Sequence, residues 1–190
     1  MGNLRDGNDD TLDRRRRILE DAGTAFLRYG FERTSVADIA AGAGVSRTAL
    51  YHYFPGKEEI FRAVVDELHA RSLNAAAEAL ETSQTLDAAL IGLLEARFGR
   101  TLALMTESLH GVELVDATHR LTGPATRAAD EAFRALVVKA LLRHGRAREV
   151  DAVADTLVDA AKGLMRSGDV HVPKARFDAR IRRLVSWAIS

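Results

Sequence analysis

Three prolines, Pro55, Pro124 and Pro173, are all that 190 residues contain, and each stands between segments whose apolar residues recur at helical spacing. No stretch shows the apolar–polar alternation of a half-buried strand, and β-branched residues are scattered among abundant Ala, Leu and Arg. The chain is therefore expected to be all-α, with about nine helices. With 47% hydrophobic and 28% charged residues, it has material for one medium domain, or for a small module joined to a larger one. The absence of cysteine excludes a disulfide framework, thiolate catalysis and sulfur-based zinc sites. No apolar run reaches the ~18 residues of a membrane span, and the polar N-terminus has no signal-peptide core. A cytoplasmic protein without membrane contact is the expectation.

Net charge is zero, from 27 basic and 27 acidic residues, but its distribution is uneven. Asp6, Asp9, Asp10 and Asp13 outnumber Arg5 at the start of the chain. Arg14, Arg15, Arg16, Arg17, Arg28, Arg33, Arg47 and Lys57 then outnumber Glu20, Asp21, Glu32 and Asp38. A basic block behind an acidic tail fits polyanion contact, and it also fits a solvated helix face. Residues 1–11, rich in Asp, Asn and Gly, read as a flexible tail. A first helix is expected from Leu12 to Tyr29, ended by Gly30 as its C-terminal cap. Short helices follow Ser35 and Ser46, and a long one starts near Pro55. Further helices are expected at roughly 86–109, 112–120, 125–144, 148–166 and 175–189. Connections are expected at Leu121–Pro124, His144–Arg146 and Ser167–Asp169.

Residues 36–53 narrow the function. Two short helices joined by a tight turn must cross steeply, which dictates where the few apolar contacts fall. Ala40 is small where the helices approach, Gly44 offers positive φ at the turn, and Ile39, Ala43, Val45, Leu50 and Tyr53 fall where the crossing needs apolar groups. Ser46 is a good N-cap for the second helix. This pattern is a helix-turn-helix, against the alternative of a glycine-containing helical hairpin inside a core. The outward face of its second helix carries Arg47, Thr48, Ala49, Tyr51 and His52, in the turns that enter the major groove in such motifs. Arg47 can pair with guanine, and Ala49 or the Thr48 methyl can meet a thymine methyl. Tyr51 and His52 can bond phosphate or base edges. Lys57, at the start of the next helix, is expected on phosphate. Thr34 and Ser35 occupy the equivalent place before the first helix of the motif.

These residues resemble the N-terminal domain of the tetracycline-repressor (TetR) family of bacterial transcription regulators. Gly30-Phe31, Thr34-Ser35-Val36, Ile39-Ala40, Gly44-Val45-Ser46, Leu50–Phe54 and Lys57-Glu58 carry the resemblance, which spans about residues 12–62. It implies residues 12–56 as a three-helix DNA-binding domain and residues 57–190 as a larger helical effector-binding and dimerisation domain. It further implies a homodimer on a palindromic operator of double-stranded DNA, most often a repressor released by a small-molecule inducer. By position it places Ser46, Arg47, Thr48, Ala49, Tyr51, His52 and Tyr53 on the DNA side and Lys57 on phosphate. Ala37 and Asp38 stand where many relatives place a basic or polar contact, which shifts base readout towards Arg47.

Beyond the motif, Phe98, Leu102, Met105, Leu109, Phe133, Val137 and Met165 are candidates to line an effector pocket; plain core packing is the alternative use of such spacing. Val153, Leu157, Ala161 and Leu164, with Phe177, Ile181, Leu184 and Val185, form apolar faces on the last two helices. They are expected to build a four-helix dimer seam, with packing inside one subunit as the rival use. The six histidines show no metal-ligand spacing, and no phosphate loop or nucleophile elbow occurs. No enzyme activity, cofactor or metal is expected.

Overall fold

The computed structural model describes residues 4–146, 148–166 and 173–189, with residues 4–10 and 166 as backbone only. Among these the fold is all-α: α1 (Leu4–Tyr29), α2 (Val36–Gly42), α3 (Arg47–Tyr53), α4 (Lys57–Thr82), α5 (Leu86–Leu94), a π turn (Glu95–Gly99), α6 (Arg100–Glu107), α7 (Gly111–Arg143), α8 (Val150–Arg166) and α9 (Lys174–Ile189). None of these helices is long and apolar enough to cross a membrane.

Two helix boundaries differ from expectation. The tail read at residues 1–11 is helical from Leu4 onward. Asp, Asn and Gly each cost under about 1 kcal/mol inside a helix, too little to break one that no proline interrupts. The connection expected at Leu121–Pro124 is also absent, since α7 continues through Pro124. Proline removes one N–H and crowds the carbonyl a turn earlier. Here the Leu121 carbonyl accepts Arg62 Nε at 3.1 Å, and Thr122 Oγ1 donates to the Thr118 carbonyl at 2.7 Å. Both contacts support the turn that leads into Pro124. The connection expected at Ser167–Asp169 lies outside the described residues.

The chain forms two compact units. One comprises Met1–Glu67 with Ser108–Thr122, the other Leu68–Glu107 with Gly123–Ser190. The boundary expected between Gly56 and Lys57 therefore falls inside α4 instead, and the start of α7 joins the first unit. Helices α4 and α7 each supply residues to both units.

In the first unit Ile18, Leu19, Ala22 and Phe26 of α1 turn inward, with Ile39, Leu50, Phe54, Ile60 and Phe61. Phe26, Phe31 and Phe61 form a triangle of rings with centroids 5.0–5.8 Å apart. The second unit has its own core, in which Leu90, Leu93 and Leu94 meet Phe133, Val137, Leu157, Phe177, Ile181 and Val185. Phe98 packs edge-to-face on Phe133 at 5.4 Å.

This core corrects two sets of expectations. Leu157, Ala161, Phe177, Ile181 and Val185 are 0–1% exposed within one chain, so they hold the subunit together and cannot meet a partner. Packing inside the subunit, the rival use, wins because α9 lies against both α5 and α8. Among the expected pocket residues, Leu109 is 96% exposed and belongs to the first unit, so it lines no bundle interior. Phe98, Leu102, Phe133 and Val137 are buried members of the core, and Met165 packs at its margin.

Truncating Phe133 to Ala, fully buried and edge-to-face with Phe98, should lower unfolding free energy by about 3–5 kcal/mol. Leu142→Ala, at a half-exposed site, should change it by under about 0.5 kcal/mol. Urea midpoints at constant slope measure both.

Candidate nucleic-acid interface

Helix α3 has only seven residues, too few to be stable alone, so its caps and its buried residue must define it. Ser46 caps it, accepting the Ala49 N–H at 3.0 Å. Leu50 is the one fully buried residue of α3 and fixes which side faces the core. Phe54, extended and buried, ends it. Gly44 makes the preceding turn at φ +64°, and the Val45 N–H reaches back to the Ala40 carbonyl at 2.9 Å. Ala40 itself is buried, as the crossing requires.

With Leu50 inward, Arg47, Thr48, Tyr51 and His52 are exposed, and Ala49 and Tyr53 are half-buried. Arg47 and Tyr51, one turn apart, interact along this face. The guanidinium donates to Tyr51 Oη at 3.3 Å and lies 5.7 Å from the ring centroid. Arg47 is thereby pre-positioned on the outer face while its remaining N–H donors stay available. Ser46, Arg47, Thr48, Tyr51 and His52 together present donors, a methyl group and an aromatic edge on one solvent-facing surface.

Three other expected contact residues are occupied elsewhere. Thr34 is 1% exposed, and its hydroxyl bonds to the Gly30 carbonyl at 2.6 Å and the Ala25 carbonyl at 3.3 Å. Ser35 caps α2 in a reciprocal box. Its Oγ accepts the Asp38 N–H at 3.1 Å, while its hydroxyl and backbone N–H both donate to Asp38 Oδ2, at 2.6 and 3.1 Å. No Ser35 donor is left for a phosphate, and the Asp38 carboxylate stands beside it. Lys57 Nζ donates to the carbonyls of Phe31 and Glu32, at 2.8 and 3.1 Å, and sits 4.5 Å from the Phe31 ring centroid. Glu58 and Glu59 already complement the positive end of α4. Lys57 is therefore a clamp on the loop between α1 and α2, a role that its position beside Pro55-Gly56 did not reveal.

The sequence reading also missed Glu113 at the start of α7. Its Oε1 accepts the Glu32 N–H at 2.8 Å across 81 residues, and Arg120 on the same helix pairs with Glu32 at 3.2 Å. Gly30, at φ +82°, admits this carboxylate, since a Cβ there would lie 2.3 Å from Glu113 Oε2. Contacts this distant in sequence leave no local signal.

The arrangement is that of a helix-turn-helix protein with its second helix outward. Residues 18–64 match the family described as "Bacterial regulatory proteins, tetR family". Over these residues the chain is similar to that family. It is 38% identical over 84 residues to the probable HTH-type transcriptional regulator ArpR of Pseudomonas putida, a match covering 44% of this chain and 40% of that protein. It is 37% identical over 87 residues to the HTH-type transcriptional repressor KstR2 of Rhodococcus jostii, covering 44% and 43%. The chain thus spans less than half the length of either relative. A TetR-family regulator from Mesorhizobium loti has the same fold, with a TM-score of 0.70 at 21% identity over 94% of this chain and 96% of that one.

The hydroxyl of Ser35, followed by its backbone N–H, holds the exposed Asp38 carboxyl below its ordinary value. A carboxyl lowered in the fold stabilises fully above the ordinary carboxylate range and loses that contribution as pH falls through it. Ser35→Ala should cost about 1 kcal/mol near neutral pH, as N-cap losses do. The gap between variant and parent should narrow on acidification, read as thermal midpoints across a pH series.

Proposed function

We propose that this protein is a ligand-responsive transcriptional regulator, most simply a repressor, that binds a palindromic operator as a homodimer. The observation that carries the reading is the division of labour on α3. Leu50 is fully buried, while Arg47, Thr48, Tyr51 and His52 face solvent on one side of a rigidly capped helix. Such a face, about the width of the DNA major groove, reads base edges through Arg47 and the Thr48 methyl, with Tyr51 and His52 on base or phosphate. The names of the relatives, regulators and repressors of the helix-turn-helix type, support the same reading.

Two copies must hold their α3 helices about 34 Å apart to engage successive major-groove faces. The buried residues of α8 and α9 cannot supply that contact, so the seam falls to their outward residues. Leu184 and Trp187, three apart on α9, share a face, and Trp187 is 72% exposed. Val153 and Leu164 of α8, half-buried at the margin of the core, complete an apolar surface for a second copy. An effector acting on the second unit biases the dimer between two spacings of α3. Its leverage is limited to its differential affinity for the two states. Helices α4 and α7, common to both units, are the covalent route for that bias.

Arg47→Ala should weaken operator binding by about 1–3 kcal/mol and relax preference at one base pair of each half-site. Salt-titrated anisotropy with single-base operator variants measures it, and unchanged binding would refute the reading face. Trp187→Glu should shift the protein from dimer to monomer in sedimentation equilibrium and reduce affinity for a full operator far more than for a half-site.

A further inference from the structure

A buried polar cluster in the second unit has no role in DNA reading. At its centre is Arg97, 5% exposed, carried inward by the π turn between α5 and α6. A π turn is a costly irregularity that recurs at functional sites. Arg97 Nη1 donates to Ser72 Oγ at 3.1 Å and to His69 Nδ1 at 3.1 Å, both on α4. Nη2 donates to Asp130 Oδ1 on α7 at 2.8 Å. Asp130 Oδ2 also takes Lys162 Nζ, from α8, at 2.9 Å. Two elements, α4 and α7, meet the guanidinium directly, and α8 joins the cluster through Asp130.

Proton and charge counting then show what the cluster lacks. A guanidinium only donates, so His69 Nδ1 must accept and the ring is neutral, with Nε2 donating to Thr126 Oγ1 at 3.3 Å. Two cations, Arg97 and Lys162, thus share one carboxylate. Burial raises the Asp130 carboxyl, but hydrogen bonds from Lys162 and Arg97 outweigh it and hold it below its ordinary value. Among the described residues Arg97 pairs with Asp130 in the buried part, and Lys162, partly exposed, leaves the cluster with one net positive charge at its solvent edge. In addition Arg97 Nε is buried with no hydrogen-bond partner among the described residues. Water would satisfy that N–H but not the charge. A dianionic phosphate would overshoot the single surplus charge. A monocarboxylate matches it, and guanidinium edges bind carboxylates with two parallel hydrogen bonds. The side chains of Asp130 and Lys162 are 25% and 37% exposed and form the solvent-facing edge of the cluster, while Arg97 Nε is buried.

From this geometry we infer that Arg97, with Lys162, binds the carboxylate of a small monocarboxylate effector through its Nε edge. The inference rests on the proposal that the second unit takes an effector, and it assigns the chemical class.

The test follows the Arg97 Nε–H resonance of the full-length protein in 1H–15N spectra, assigned by its loss in Arg97→Lys. Sodium benzoate and sodium hexanoate are the probes, with benzamide, hexanamide and sodium chloride at matched ionic strength as controls. The carboxylates should shift the resonance saturably and raise the thermal midpoint. Arg97→Gln should weaken their binding by about tenfold to a hundredfold, the range for one charge-assisted contact. Lys162→Met, at a half-exposed site, should weaken it as well and serves if Arg97→Gln does not fold. Equal shifts from the amides or from chloride, or no shift with any carboxylate, would overturn the inference. Operator anisotropy in the same solutions separates the two proposals. Carboxylate binding at Arg97 with unchanged operator affinity supports the site and refutes ligand response. Operator release by a neutral amide that leaves the Arg97 resonance in place does the reverse.

Discussion

The first unit depends on the burial of one ring. Phe31, 3% exposed, lies between Phe26 of α1 and Phe61 of α4, and two cations, Lys57 and Arg120, stand against it at 4.5 and 5.7 Å. The ring occupies a loop, where apolar side chains are seldom buried, so the backbone around it must be satisfied by other means. Lys57 takes the carbonyls of Phe31 and Glu32, Thr34 takes that of Gly30, and Glu113 takes the Glu32 N–H. The loop therefore enters α2 from a fixed direction. Since α3 is set against α2, the aim of the outward face follows from how Phe31 is seated.

That explains why residues far from the motif in sequence belong to it in space. Glu113 and Arg120 come from the first turns of α7, a helix that runs on into the second unit past Pro124. A proline inside a helix marks where its hydrogen-bond ladder is weakest. Here the weak point coincides with the boundary between units at Thr122 and Gly123. The same helix carries Asp130, about two turns further on, which holds Arg97. Loop clamp, proline and ion pair thus follow each other in sequence on α7.

Much of this was legible in the sequence where local chemistry decides the structure. The caps at Ser35 and Ser46, the glycines at 30 and 44, and the inward Leu50 each follow from rules that operate within a few residues. The two short helices α2 and α3 and the turn between them were readable for that reason. What misled was local plausibility that tertiary structure overrode. Pro124 reads as a break because part of what supports the helix there comes from Arg62, 59 residues away from Leu121. Lys57 and Ser35 read as phosphate ligands because a free donor and an occupied one look identical without partners. Leu157 and Ile181 read as a dimer seam because an apolar stripe does not say whether its complement is in the same chain.

The two units accordingly differ in how tightly sequence is bound to shape. In the first, a seven-residue helix must be capped, turned by a glycine and plugged by one leucine, and few residue types meet each demand. In the second, longer helices need only an apolar stripe of suitable volume, which many sequences provide. This asymmetry fits the reach of the comparisons. The family match ends at residue 64, near the end of the first unit's stretch of α4, whereas the fold of the whole chain persists at 21% identity. A bundle so permissive in its apolar positions is where a polar exception carries information. Arg97 is such an exception, because apolar residues of similar volume in place of the whole Arg97–Asp130 pair would often be as stable or more so.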